Sequence, residues 1–179
     1  GVFSIGELIH RMMNALEESG RPVPQYLSWA AYEANVKTIE SISFEVDCYC
    51  GKDHLFQPLD GILYVGMGSV GRSESIHVIF DPSVISLEAL MGHVKEKSIY
   101  FQRVYVRSDE QEEVAERVNA VPVIRMDDPT MTFREQSDRI SLRKEYFYLP
   151  LTSLQAVKIG LELSLAVCRT YCHKACKCL

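Results

Sequence analysis

From Ser41 onward, two-residue and helical hydrophobic periods follow one another in a fixed order, and that order restricts the fold more than any other feature of the chain. Ile42, Phe44 and Val46 alternate along a strand expected over 41–47, and the segment 52–59 reads as a short helix. Asp60-Gly61 turns the chain into a strand from Ile62 to Met67, and Gly68 to Arg72 reads as a loop. Ile76, Val78 and Phe80 share one face of a strand from Ser75 to Phe80, which Asp81-Pro82 ends. Ser86 is placed to cap a helix with Glu88 in its first turn, where a carboxylate complements unpaired N–H groups. A strand from Arg103 to Arg107 and a helix from Glu110 to Val118 complete the series.

The resulting β-α-β-β-α-β order predicts an α+β protein with a ferredoxin-like core, a mixed sheet carrying helices on one face. Ahead of it, Ile5, Leu8, Ile9, Met12, Met13 and Leu16 recur at helical spacing over 4–18, and Gly20-Arg21-Pro22-Val23-Pro24 stops that helix. A second helix is expected from Tyr26 to Thr38, around the chain's single tryptophan, Trp29. Downstream, Val121 to Met126 reads as a strand and 133–147 shows strand-like alternation among many charges. After Pro150, Leu151 to Cys168 reads as a helix. The chain therefore divides into an N-terminal helical arm (1–40), an α/β core (41–150) and a C-terminal helix with a cysteine-rich tail (151–179).

Composition restricts function. With 47% hydrophobic and 24% charged residues among 179, the chain buries an ordinary core. A net charge of -5 without a dense Lys/Arg stripe argues against nucleic acid. No apolar run approaches the roughly 20 residues that span a bilayer, so no membrane partner is expected. The first residues lack the basic and apolar blocks of a secretory signal, which predicts a cytoplasmic protein unless a targeting segment has been removed. The six cysteines fall at Cys48 and Cys50 and then at Cys168, Cys172, Cys176 and Cys178, whereas a stapled scaffold spreads them through the chain. That clustering fits redox or metal chemistry.

Cys48 stands at the expected junction of a strand and a helix, in Asp47-Cys48-Tyr49-Cys50-Gly51. The free N–H groups of a first helical turn favour the thiolate, so a cysteine there is a candidate nucleophile, whereas one buried mid-strand is inert. The tail cysteines leave three readings open: thiols that resolve an oxidised Cys48, zinc ligands on one helix face with His173, or a tail without function. His54 and His77 read as surface or sheet-edge residues.

Phe44-Glu45-Val46-Asp47-Cys48-Tyr49-Cys50-Gly51 resembles the Gly-Cys-Phe-Trp segment of A-type peptide methionine sulfoxide reductases, and the spacing continues through Phe56, Leu59, Gly61, Gly68 and Gly71. Gly71-Arg72-Ser73-Glu74 and Asp81-Pro82-Ser83-Val84-Ile85-Ser86 are similar to that family's Gly-His-Ala-Glu strand and Asp-Pro turn. Tyr100, Tyr105 and Glu110-Gln111 resemble a later run, so the likeness covers roughly residues 42–118. It implies reduction of the S-epimer of methionine sulfoxide in peptides or proteins, with Cys48 attacking sulfur and Glu74 protonating oxygen, work suited to a carboxylic acid of raised pKa. It further implies that Tyr49 packs the substrate methyl group and that Tyr100 assists at the oxygen. Cys50 stands where the family has a tryptophan, and Ser69 where it has an oxygen-binding tyrosine. A tail cysteine would condense with the Cys48 sulfenic acid, Cys172 being a choice by reach and not by motif, and a thioredoxin-like reductant would reset the disulfide. No metal or organic cofactor is implied. The alternative is a non-catalytic protein that keeps the fold as a binding or structural module, zinc-clipped at its tail.

Overall fold

The computed structural model describes residues 4–47, 52–97, 100–118, 121–126, 133–137 and 151–160. Its centre is a six-stranded sheet in the order β5-β4-β1-β3-β2-β6. The strands are β1 (Glu40–Glu45), β2 (Ile62–Val70), β3 (Ser73–Phe80), β4 (Arg103–Val106), β5 (Val123–Arg125) and β6 (Phe133–Ser137). Strand β1 pairs antiparallel with both β3 and β4, and β2 pairs antiparallel with β3. The inner order β4-β1-β3-β2 is the ferredoxin-like arrangement expected from the sequence. Parallel β5 and antiparallel β6 widen it at the two edges.

Period-two alternation sends Ile42 and Phe44 of β1 and Val46 just beyond it, with Ile76, Val78 and Phe80 of β3, to one face. There they meet Leu87, Leu90, Met91 and Val94 of α3 (Leu87–Glu96) and Ala115 of α4 (Asp109–Val118). Ser86 caps α3 as expected, its Oγ accepting from the Ala89 N–H at 3.1 Å. The arm comprises α1 (Ile5–Glu18) and α2 (Gln25–Asn35), which approach closely at Gly6, where an added Cβ would lie 3.3 Å from that of Ala34. Helix α2 docks on the core through Tyr32, whose hydroxyl donates to Asp81 Oδ2 at 2.8 Å. Burial, and then Asp81, push that phenol above the usual tyrosine range. A further helix, α5, covers 153–160. It places Val157 in the core, and its Leu154 N–H donates to Glu33 Oε2 of α2 at 3.1 Å.

Four sequence expectations are corrected. The helix over 52–59 is a single 3-10 helix, Lys52–Leu55, followed by a separate turn in which the Leu59 N–H donates to the Phe56 carbonyl at 3.1 Å; Pro58, which disfavours a continuing helix, lies in that turn. The loop over 68–72 is a two-residue turn between paired Val70 and Ser73, with Gly71 at φ 62 taking the left-handed conformation that lets β2 run on. Helix α2 ends at Asn35, short of Thr38, where Val36 is already extended. Strand β1 ends at Glu45, leaving Asp47 beyond it. Among the described residues no helix is long and apolar enough to cross a membrane.

Candidate functional site

Three of the candidate residues are described: Glu74 on β3, Ser69 on β2 and Tyr100 ahead of β4. The register pairs Glu45 with Ser75, and the Val46 N–H donates to the Glu74 carbonyl oxygen at 2.9 Å. On the far side of β3, Glu74 is paired with Ser69 of β2. Residues opposite one another across antiparallel strands share a face, so Val46, Glu74 and Ser69 form one row on the helix-bearing side of the sheet. Glu74 is exposed at the rim of that face and Ser69 is half-buried. From the other side of β1 the segment leading into β4 approaches: the Gln102 N–H donates to the Glu45 carbonyl at 3.0 Å, and the Gln102 side-chain amide donates to the Asp47 carboxylate. Tyr100, two residues earlier, is 68% exposed.

Cys48, Tyr49, Cys50 and Cys172 lie outside the described residues, as does the rest of the cysteine-rich tail. Where the sequence predicts a helix over 52–59, the described residues form a 3-10 helix over Lys52–Leu55. Four residues of 3-10 helix carry far less macrodipole than a multi-turn α-helix. Among the described residues no group of three or more His, Cys, Asp or Glu side chains gathers to hold a metal ion.

The opposite face of the sheet holds a polar cluster that sequence reasoning missed. Glu45 is buried, its Oε1 accepting from Arg103 at 2.7 Å and its Oε2 from the Tyr105 hydroxyl. Burial alone would raise the Glu45 pKa, but the hydrogen bonds from Tyr105 and Arg103 and the Arg103 charge hold it below the usual carboxylate value. Burial and then Glu45 raise the Tyr105 pKa. The signal available was the placement of opposite charges on two strands expected in one sheet, Glu45 and Arg103.

His77 is also corrected: it lies on central strand β3 and is 8% exposed, not at an edge or on the surface. Its Nδ1 is hydrogen-bonded to Ser43 Oγ at 2.8 Å, and its ring stacks on Phe133 of β6 with centroids 4.7 Å apart. Burial, and secondarily the Arg107 charge, bring its pKa from 6.5 down to about 4. The folded state therefore favours neutral imidazole, and this stability is complete above pH 6.5 and is lost as pH falls toward 4. The full shift corresponds to about 3 kcal/mol. Urea midpoints are expected to drop between pH 6.5 and 5, a window above the ordinary 4.5 of Glu45, and to flatten there in His77→Gln. A wild-type midpoint constant across that window would contradict a neutral buried His77.

No protein-family model matches the sequence, and no curated protein matches it. Solved structures are similar to it in part. Methionine sulfoxide reductase A of Corynebacterium diphtheriae matches over 63% of this chain and 78% of its own, at 15% identity and a TM-score of 0.44. Mxr1 from Saccharomyces cerevisiae, in an unusual oxidized form, matches over 49% of this chain and 71% of its own, at 18% identity and a TM-score of 0.36.

Proposed function

We propose that the protein reduces the S-epimer of methionine sulfoxide in peptides or proteins, with Cys48 as nucleophile. The main support is the approach of Glu74 from β3 and of the 100–102 segment from the β4 side to the strand end that runs into Cys48. The Cys48 thiolate attacks the sulfoxide sulfur while Glu74 delivers a proton to the oxygen. The S–O bond to the substrate breaks and the oxygen passes to Cys48, giving methionine and a sulfenic acid. Tyr49 packs the methyl group, with Cys50 and Ser69 lining the same pocket, and the Tyr100 hydroxyl assists at the oxygen. Cys172 condenses with the sulfenic acid, forming a disulfide and releasing water, and a thioredoxin-like dithiol reduces that disulfide. The scheme calls for no metal or organic cofactor. Thiols clustered at one loop and one tail suit a reducing setting, which we take to be the cytoplasm. The core over 41–150 carries the attacking thiol and the acid, 151–179 brings the resolving cysteine, and 1–40 is an added helical arm.

The test is incubation with dabsylated methionine S-sulfoxide and dithiothreitol. Dabsyl-methionine is expected to accumulate from the S-epimer and not from the R-epimer, and absence of turnover sinks the reading. Glu74→Gln is expected to lower kcat by about 10²–10⁴, the range for loss of a general acid. Because Glu74 is exposed, the same change should shift stability by no more than about 0.5 kcal/mol.

The exposure of Tyr100 and the serine at position 69 favour a second reading, a non-catalytic module that keeps the fold for binding. It predicts a folded protein without turnover. Zinc measured by mass spectrometry on the purified chain tests whether the tail is metal-clipped.

A further inference from the structure

Gln102 grips the strand that runs into Cys48 at two points. Its backbone N–H donates to the Glu45 carbonyl at 3.0 Å, and its side-chain amide donates to the Asp47 carboxylate. One residue thus ties the end of β1 to the segment that carries Tyr100, and its acceptors are among the last three residues before Cys48. The geometry points to Gln102 as a positioning residue for the Cys48 thiol, acting through Asp47. The inference rests on Cys48 being the nucleophile and adds a pair of residues to which the family resemblance gives no role.

The physical reason is the charge on Asp47. A carboxylate one residue ahead of a thiol opposes formation of the thiolate. The amide of Gln102 holds that carboxylate toward the β4 side of β1. Among the described residues on the strands paired with this strand end, the other charged groups are Glu74 on β3 and Glu45, which is ion-paired with Arg103 on the reverse face.

The test is iodoacetamide labelling of the full chain across pH, with the Cys48 adduct quantified by peptide fragmentation and thermal melting run in parallel. Gln102→Ala frees the carboxylate. The labelling midpoint is expected to move up and the rate at pH 7 to fall about threefold, with little change in Tm, as a shift of half a pKa unit implies. Asp47→Asn added to Gln102→Ala should restore the wild-type rate, because the released charge is gone. A double change that exchanges donor and acceptor, Asp47→Asn with Gln102→Glu, should also keep the wild-type profile. An unchanged pH profile in Gln102→Ala overturns the inference, as does a double variant no faster than the single. Labelling needs no turnover. A Gln102-dependent profile in a protein inactive on sulfoxide therefore sustains the tether and sinks the reductase reading, and turnover with an unchanged profile does the reverse.

Discussion

Cys48→Ser is expected to remove all measurable sulfoxide reduction, a loss on the order of 10⁴–10⁶ in kcat, as for other enzymes stripped of their nucleophile. A hydroxyl at that position stays protonated at neutral pH and is a poor nucleophile toward sulfur. The decisive format is a single turnover without reductant, in which one equivalent of methionine per chain reports attack alone. Wild type should yield that equivalent and Cys48→Ser none. Cys172→Ser should still yield it and then stall with a thioredoxin-like reductant, because the sulfenic acid has lost the thiol that turns it into a disulfide. Dithiothreitol, able to reach the sulfenic acid directly, should rescue that variant. Methionine formed by Cys48→Ser at the wild-type rate would move the nucleophile elsewhere and end the assignment.

Local pattern carried the inner sheet and failed where long-range register decides. Ile42-Phe44-Val46 and Ile76-Val78-Phe80 alternate because each strand buries one face, and their order with the helices between them leaves few ways to wind the chain. The helix over 52–59 stops at Leu55, and Pro58 within that span disfavours the helical conformation of the residue before it. Ser43 and Glu45 alternate with them on the polar side of the strand, yet both are buried. Phe133 of β6 stacks on His77 over that face, and a small group of Val70, Tyr105 and Met126 packs there as well. Nothing local announces that closure, because Glu45 finds Arg103 at a separation of 58 residues and His77 finds Ser43 at 34. The same limit applies to the site. Glu74, Ser69 and Tyr100 are implied by the family resemblance along one stretch of sequence, whereas the bond between Gln102 and Asp47 exists only once β1 and β4 pair in their observed register.

Phe44→Ala is expected to be the most damaging single change in the core. The ring is 0% exposed, and it stacks between Phe56, with centroids 5.3 Å apart, and Phe101 at 4.6 Å. Truncating a buried phenylalanine costs about 3–5 kcal/mol through lost transfer energy and the cavity left behind. At about 2–4 °C per kcal/mol for a chain of this length, Tm should fall by roughly 6–20 °C in a melt followed by circular dichroism. Phe44→Leu keeps much of the volume and should cost less than half as much. The consequence reaches function because of what the two partner rings carry. Phe56 directly follows the 3-10 turn, and Phe101 sits between Tyr100 and Gln102. Phe44 therefore braces, from beneath, both segments that flank the end of β1. Well below its melting point, Phe44→Ala should still alkylate Cys48 with an altered pH profile, and Phe44→Leu with a nearly normal one. A Tm drop under about 3 °C for Phe44→Ala would mean that these rings do not centre the core, and the support they give the strand end would go with it.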